Sequence, residues 1–155
     1  MLALAAVAGA QDSDDLTLHE LAARGNTAGI ARAVNAGVPV DDRDAEGRTA
    51  LHVGAGAGHL FVVMMLVAKG ADPNARDAHR RTPLHDAADG SPEHEGERYQ
   101  IVKLLLAKGA DPAARDAAGK RPVDYATRAE FKDALAVPPD VTSRPASRRP
   151  SRDSP

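Results

Sequence analysis

Asp44-Ala-Glu-Gly-Arg-Thr-Ala-Leu-His52 returns 33 residues later as Asp77-Ala-His-Arg-Arg-Thr-Pro-Leu-His85. The same step separates His19 from His52 and Gly37 from Gly70. It lengthens to 39 between Gly70 and Gly109, and Asp44, Asp77 and Asp116 follow the same 33-then-39 spacing. Ala68-Lys-Gly-Ala-Asp-Pro73 also returns, as Ala107-Lys-Gly-Ala-Asp-Pro112. Agreement of phase at several separate positions excludes a chance match at one motif. A fixed period of this length indicates stacked units, none of which can bury its own apolar face.

Each recurring residue has a physical task. Thr49 and Thr82 stand where a helix needs an N-cap to satisfy its free N–H groups. Pro83 follows at the first helical position, where proline loses no hydrogen bond. Leu51 and Leu84 fall on the inward face of that first helix. A second helix is predicted over His59–Lys69 and again over Arg98–Lys108. Val62, Val63, Met65 and Leu66 of the one match Ile101, Val102, Leu104 and Leu105 of the other, a broad helical stripe. Gly37, Gly70 and Gly109 sit where a left-handed residue ends a helix. Lys69 and Lys108 suit the negative end of its dipole.

The T-P-L-H core at this period resembles the ankyrin repeat. The resemblance implies an all-α solenoid of helix-turn-helix units joined by short hairpin-like loops. Four repeats are expected: 11–43, 44–76, 77–115 and 116–137. The middle two are strong and the outer two degenerate. The first reads Leu16-Thr-Leu-His19, and the fourth reads Lys120-Arg-Pro-Val-Asp124, without Thr or His. The fourth, with a short second helix over Ala129–Ala136, is expected to cap the stack.

Composition fits one domain of closely packed helices: 155 residues, 3% aromatic, no Trp and no Cys. Disulfides, thiol catalysis and zinc–thiolate sites are therefore excluded. The net charge of −2 is too small for a dedicated nucleic-acid binder. Residues 1–10 are apolar and end Ala8-Gly-Ala10, like the apolar core and cleavage site of an export signal, but they lack its positive start. They are also too short to span a bilayer. The alternatives are an apolar helix covering the first repeat and a misplaced start codon. The sequence favours a cytoplasmic chain over an exported one, in which Gln11 would open the mature protein. Residues 138–155, rich in Pro, Ser and Arg, read as a disordered tail, and Arg148-Arg-Pro-Ser151 within it resembles a phosphorylation site.

Catalysis finds little support. Ser13, Ser91, Ser143, Ser147, Ser151 and Ser154 all lie outside the repeat helices. No catalytic residue, metal site or cofactor is expected. In the resembled family, His19, His52 and His85 would be hydrogen-bonding elements that link neighbouring turns, and His59 a structural residue after Gly58. At the insertion Ala88–Arg98, between the two helices of the third repeat, His85, Asp86, Asp89, Glu93, His94, Glu95 and Glu97 fall close in sequence, and a hard divalent cation could find oxygen ligands among them. A flexible acidic loop is expected there. A metal-binding or catalytic role centred on 88–98 is one alternative function, and nucleic-acid binding through the Arg-rich tail and the basic edge another. Gly54 and Gly56 lie within the first helix of the second repeat. Each costs roughly 1 kcal/mol against Ala, so this helix is expected to be the weakest; close approach of a neighbouring helix is the other reason for glycine there.

The resemblance implies binding through the loops and the exposed face of the first helices. Arg48, Arg81 and Lys120 share one phase, and Arg43, Arg76 and Arg115 another, with steps of 33 and 39. Two basic rows are expected along that edge, partly neutralised by Asp44, Asp77 and Asp116. The expected activity is non-enzymatic protein binding, as adaptor, inhibitor or assembly factor. The expected contacts are Arg48, Arg81 and Lys120, then Glu46, His79 and Asp89. The expected partner is a protein with an acidic face or peptide, met by a monomer.

Overall fold

The computed structural model describes residues 16–90 and 92–136. The apolar segment 1–10, the tail 138–155 and each of the six serines lie outside the described residues. The helices are α1 (Leu18–Ala23), α2 (Thr27–Asn35), α3 (Ala50–Ala57), α4 (Leu60–Ala68), α5 (Pro83–Asp89), α6 (Glu95–Ala107), α7 (Pro122–Tyr125) and α8 (Ala129–Leu135), with a 3-10 turn at Pro92–His94. They form four helix pairs among the described residues. α1, α3, α5 and α7 pack side by side in one layer, and α2, α4, α6 and α8 in the other. This is the all-α solenoid expected.

The core lies between the layers. Leu21, Leu51 and Leu84 of the first helices are fully buried, as are Ile30, Val63, Leu66, Ile101, Val102 and Leu105 of the second. Every unit contributes to one continuous apolar cluster, so each depends on its neighbours for burial. Gly37, Gly70 and Gly109 have φ of 104°, 94° and 91°, as the helix-end reading predicts. At Gly70 the N–H bonds back to Val67 O, and the next N–H, of Ala71, to Leu66 O. That pair of bonds closes the helix end, and it recurs after Gly37 and Gly109.

Three details refine the sequence expectation. The insertion is not a loop: α6 has 13 residues against 9 in α4, and it begins three residues before the expected Arg98. Glu95 and Glu97 in its first turn favour the positive helix end. Glu95 also pairs with Arg128 at 2.7 Å, and Arg98, buried, donates to Ala87 O at 2.9 Å. Second, Gly54 has a packing reason, since a Cβ there would lie 2.9 Å from Val62 Cγ1 of α4. Third, α1 starts one residue late in phase. Thr17 is its N-cap and Glu20 closes a reciprocal capping box, accepting from Thr17 N–H at 2.8 Å.

Candidate protein-docking edge

The three loops of the edge are built alike. One carboxylate oxygen of Asp44 accepts from the N–H groups of Glu46 and Arg48, at 3.0 and 2.9 Å. Asp77 does the same for His79 and Arg81, and Asp116 for Ala118 and Lys120. Each loop is then tied to the next. Ala78 N–H donates to Glu46 O at 3.0 Å, and Ala117 N–H to His79 O at 2.8 Å. The turn position has a positive φ each time, with Gly47 at 74° and Gly119 at 78°, whereas the third repeat places Arg80 there at 61°.

The repeat histidines fix the loops from behind. Nδ1 of His52 accepts from Thr49 N–H at 3.1 Å and lies 2.9 Å from Thr49 Oγ1. With Nδ1 an acceptor, the ring proton sits on Nε2. Nε2–H then donates to Arg81 O of the following repeat at 3.0 Å. His85 repeats the arrangement with Thr82 and Lys120 O. His19, nearer its helix start, contacts Asp42 O and Arg48 O. The expected linking role of the three histidines is thus observed. Their acceptors are the carbonyls of Arg48, Arg81 and Lys120, the basic row itself. Burial pushes the His85 imidazole below its usual range, and the nearby Arg81 charge adds to this.

The fourth repeat ends the chain of links. At the position of the helix histidine it has Asp124, which accepts from Arg121 N–H at 2.7 Å. A carboxylate closes its own cap as the imidazole does, but it has no proton to pass forward.

The side chains of the row are not equivalent. Arg48 is 44% exposed and bonds to Asp44 at 2.9 Å and Glu46 at 3.4 Å. Arg81 is only 18% exposed, lies between Asp86 at 2.8 Å and Asp89 at 3.0 Å, and stacks on Tyr125 with its guanidinium carbon 4.6 Å from the ring centre. Burial works against the Arg81 charge, but the two carboxylates outweigh it and hold the guanidinium more firmly protonated than usual. Burial pushes the Asp86 carboxyl up, with Arg81 offsetting only part of the effect. Lys120 is exposed, its Nζ 5.3 Å from the Tyr125 ring centre. Glu46, His79 and Asp89 are exposed.

The expected partial neutralisation by the repeat aspartates is met at Asp44. Asp44 pairs with Arg48, but Asp77 uses its bonded oxygen on loop N–H groups, and Asp116 also accepts from Tyr125 Oη. The second row is drawn into the loops as well. Arg43 donates to Gly47 O at 2.8 Å and Arg115 to Gly119 O at 2.7 Å. The sequence pointed to Asp86 as a candidate oxygen ligand rather than as the partner of Arg81, and Tyr125 carried no signal. The spacing of Arg81 to Asp86 becomes a contact only because the loop turns back over the start of α5.

A groove of about 300 Å³ opens between this edge and the first helices, lined by Arg48, Gly56, Arg81, Asp86, Asp89 and neighbouring residues. One trio with metal-ligand atoms comes together among the described residues: those of His52, Asp77 and Asp86 lie within 4.8 Å of one another. Both ring nitrogens of His52 are engaged in hydrogen bonds, Asp77 holds its loop, and Asp86 faces Arg81. The trio is therefore occupied in holding the fold. No helix among the described residues is long and apolar enough to cross a membrane.

Comparison with known proteins agrees with this geometry. A family model described as ankyrin repeats, in three copies, matches residues 18–116. Acyl-CoA-binding domain-containing protein 2 of Arabidopsis thaliana is 38% identical over 50 residues, which is 32% of this chain and 14% of that protein. The chain thus spans a small part of the relative's length. The recurrent helix pairs, the histidine links between them and the family match lead to one identification: the chain belongs to the ankyrin-repeat family.

Proposed function

We propose that the chain is a non-enzymatic docking module, an adaptor, inhibitor or assembly factor, that binds a partner protein on the loop edge and the groove beside it. The observation that carries this reading is the repeated bonding of the three loops. Each is held by its own aspartate and by the histidine of the preceding repeat. A surface held in this way loses little freedom when a partner settles on it, so more of the contact energy appears as affinity.

Within that edge the six residues divide by accessibility. Arg48 and Lys120 are exposed cations that can meet carboxylates of the partner. Glu46, His79 and Asp89 are exposed between and beside them. Arg81 forms the wall of the groove and carries its own counter-ions. The partner face is then acidic at two points rather than along a continuous row.

Affinity capture from source lysate tests the reading, with wild type compared against Arg48→Glu/Lys120→Glu. Arg81 is spared because it is largely buried between Asp86 and Asp89, where a reversed charge would be poorly screened, whereas Arg48 and Lys120 are exposed to water. A protein captured by wild type and lost from the folded double variant supports the reading. Equal recovery by both rejects this edge as the docking site.

A further inference from the structure

The outer layer holds an apolar face with nothing on it. α4 reads Leu60-Phe-Val-Val-Met-Met-Leu-Val-Ala68, without one polar side chain. A helix that is apolar all round is normally covered all round. Val62, Val63 and Leu66 face the core, yet Phe61 is 74% exposed and Met64 47%. The repeat phase shows that this is particular to the second unit. A step of 39 aligns Phe61 and Met64 with Gln100 and Lys103 of α6, both exposed. A step of 33 aligns them with Ala28 and Ala31 of α2. Large apolar groups on α4 beside small ones on α2 leave a groove of about 650 Å³, lined by Thr27, Phe61, Met64, Met65, Ala68 and Lys69.

The chain ahead of Leu16 supplies an occupant of matching chemistry. Met1–Ala10 has no polar side chain, and Gln11-Asp-Ser-Asp-Asp15 joins it to Leu16. α1 itself gives such a segment little to cover, because Leu18 and Leu21 are already buried. Each helix pair doubles back on itself, so α1 starts at the end of the stack where α2 and α4 finish. At that end Lys69 Nζ donates to Asn35 Oδ1 at 3.0 Å. From the start of α1 to the groove between α2 and α4 is one and a half helix spacings, about 15 Å. Five extended residues reach about 17 Å, so the link is long enough. Its three aspartates then pass the exposed Lys69 at the mouth of the groove. Ten residues in helical form span about 15 Å, the length of α4 to within a turn.

We propose that Met1–Ala10 folds back along the groove between α2 and α4 and covers Phe61 and Met64, with the acidic link beside Lys69. A second copy of the chain fits less well. A stable dimer needs about 800 Å² from each copy, and Gln100 and Lys103 end the apolar surface on the α6 side. The groove lies on the layer opposite the docking edge, and the inference does not rest on the reading given for that edge.

Methionine methyl spectra of the full chain test this, because Met64 and Met65 line the groove and the chain has three methionines in all. Methyl contacts from Met64 to Leu2, Leu4 or Val7 are expected, and Leu2→Asp/Leu4→Asp should abolish them and shift the Met64 signal. Phe61→Gln, at an exposed side chain outside the core, should release the segment in the same way. Hydrogen peroxide should oxidise Met64 several-fold faster in both variants. A Met64 signal and oxidation rate unchanged by Leu2→Asp/Leu4→Asp overturn the proposal. So does a Met64 signal that moves with protein concentration and not with the segment, the mark of a second copy. Protein from its natural source whose mass places its start at Gln11 overturns it as well.

Discussion

Nε2–H of His52 donates to the carbonyl oxygen of Arg81, 3.0 Å away and one repeat further along the chain. The bond joins the core of one unit to the loop of the next. It explains why the histidine recurs at a fixed step and why the basic residue keeps phase with it. Replacing His52 by Ala leaves Thr49 N–H and Arg81 O without this partner in a buried setting. Each such loss costs about 1–3 kcal/mol, so urea unfolding should show His52→Ala less stable by about 3 kcal/mol. In a chain carrying Leu2→Asp/Leu4→Asp, Phe61→Gln, at a side chain 74% exposed, should change stability by less than about 0.5 kcal/mol.

Acid should weaken the stack through His85. Its folded imidazole is held below the ordinary value of about 6.5 by burial. The unfolded chain therefore takes up the proton first as pH falls. Stability from this group is complete above about 6.5 and declines as pH drops below it toward the folded value. Urea midpoints at pH 7.5 and 5.5 should differ more for wild type than for His85→Gln. Asp86, whose carboxyl burial raises, acts in the opposite direction but is common to both proteins and cancels in the comparison.

The two helical glycines of α3 should respond oppositely to alanine. At Gly54 the added methyl meets Val62 Cγ1 at 2.9 Å, and overpacking of about 1–3 kcal/mol outweighs the gain in helix propensity. At Gly56 the nearest atom is Asp86 Cβ at 3.5 Å, an ordinary contact. Gly56→Ala should therefore raise the unfolding free energy by up to about 1 kcal/mol. Thermal melts of the two variants check the signs.

Arg80 occupies, at φ 61°, the turn position where the neighbouring loops have Gly47 and Gly119. A left-handed residue with a Cβ is strained by about 1–2 kcal/mol. Part of this returns when glycine is introduced, less the added freedom of the unfolded chain. Arg80→Gly should stabilise the protein by about 0.5–1 kcal/mol in urea unfolding.

Much of this was legible in the sequence because it repeats. The helix ends at Gly37, Gly70 and Gly109, the Thr caps and the histidine role all follow from residues that recur in phase. The unread parts occur once. Arg81 reads like Arg48 by position, yet Asp86, Asp89 and Tyr125 have no counterparts at the same places in the second repeat, and they bury Arg81. The insertion reads as a polar loop because its turn of helix is held by distant groups, Ala87 O for Arg98 and Arg128 for Glu95. The late start of α1 did have a local sign, since Thr17-Leu-His-Glu20 has the spacing of a capping box.

Amide hydrogen exchange on the chain, alone and with its captured partner, locates the docking surface. Exchange should slow in the complex at residues 45–48, 78–81 and 117–120 and in the exposed face of α3 and α5, with α2, α4 and α6 unchanged. Slowing confined to α2, α4 and α6, with the three loops unaffected, would contradict it.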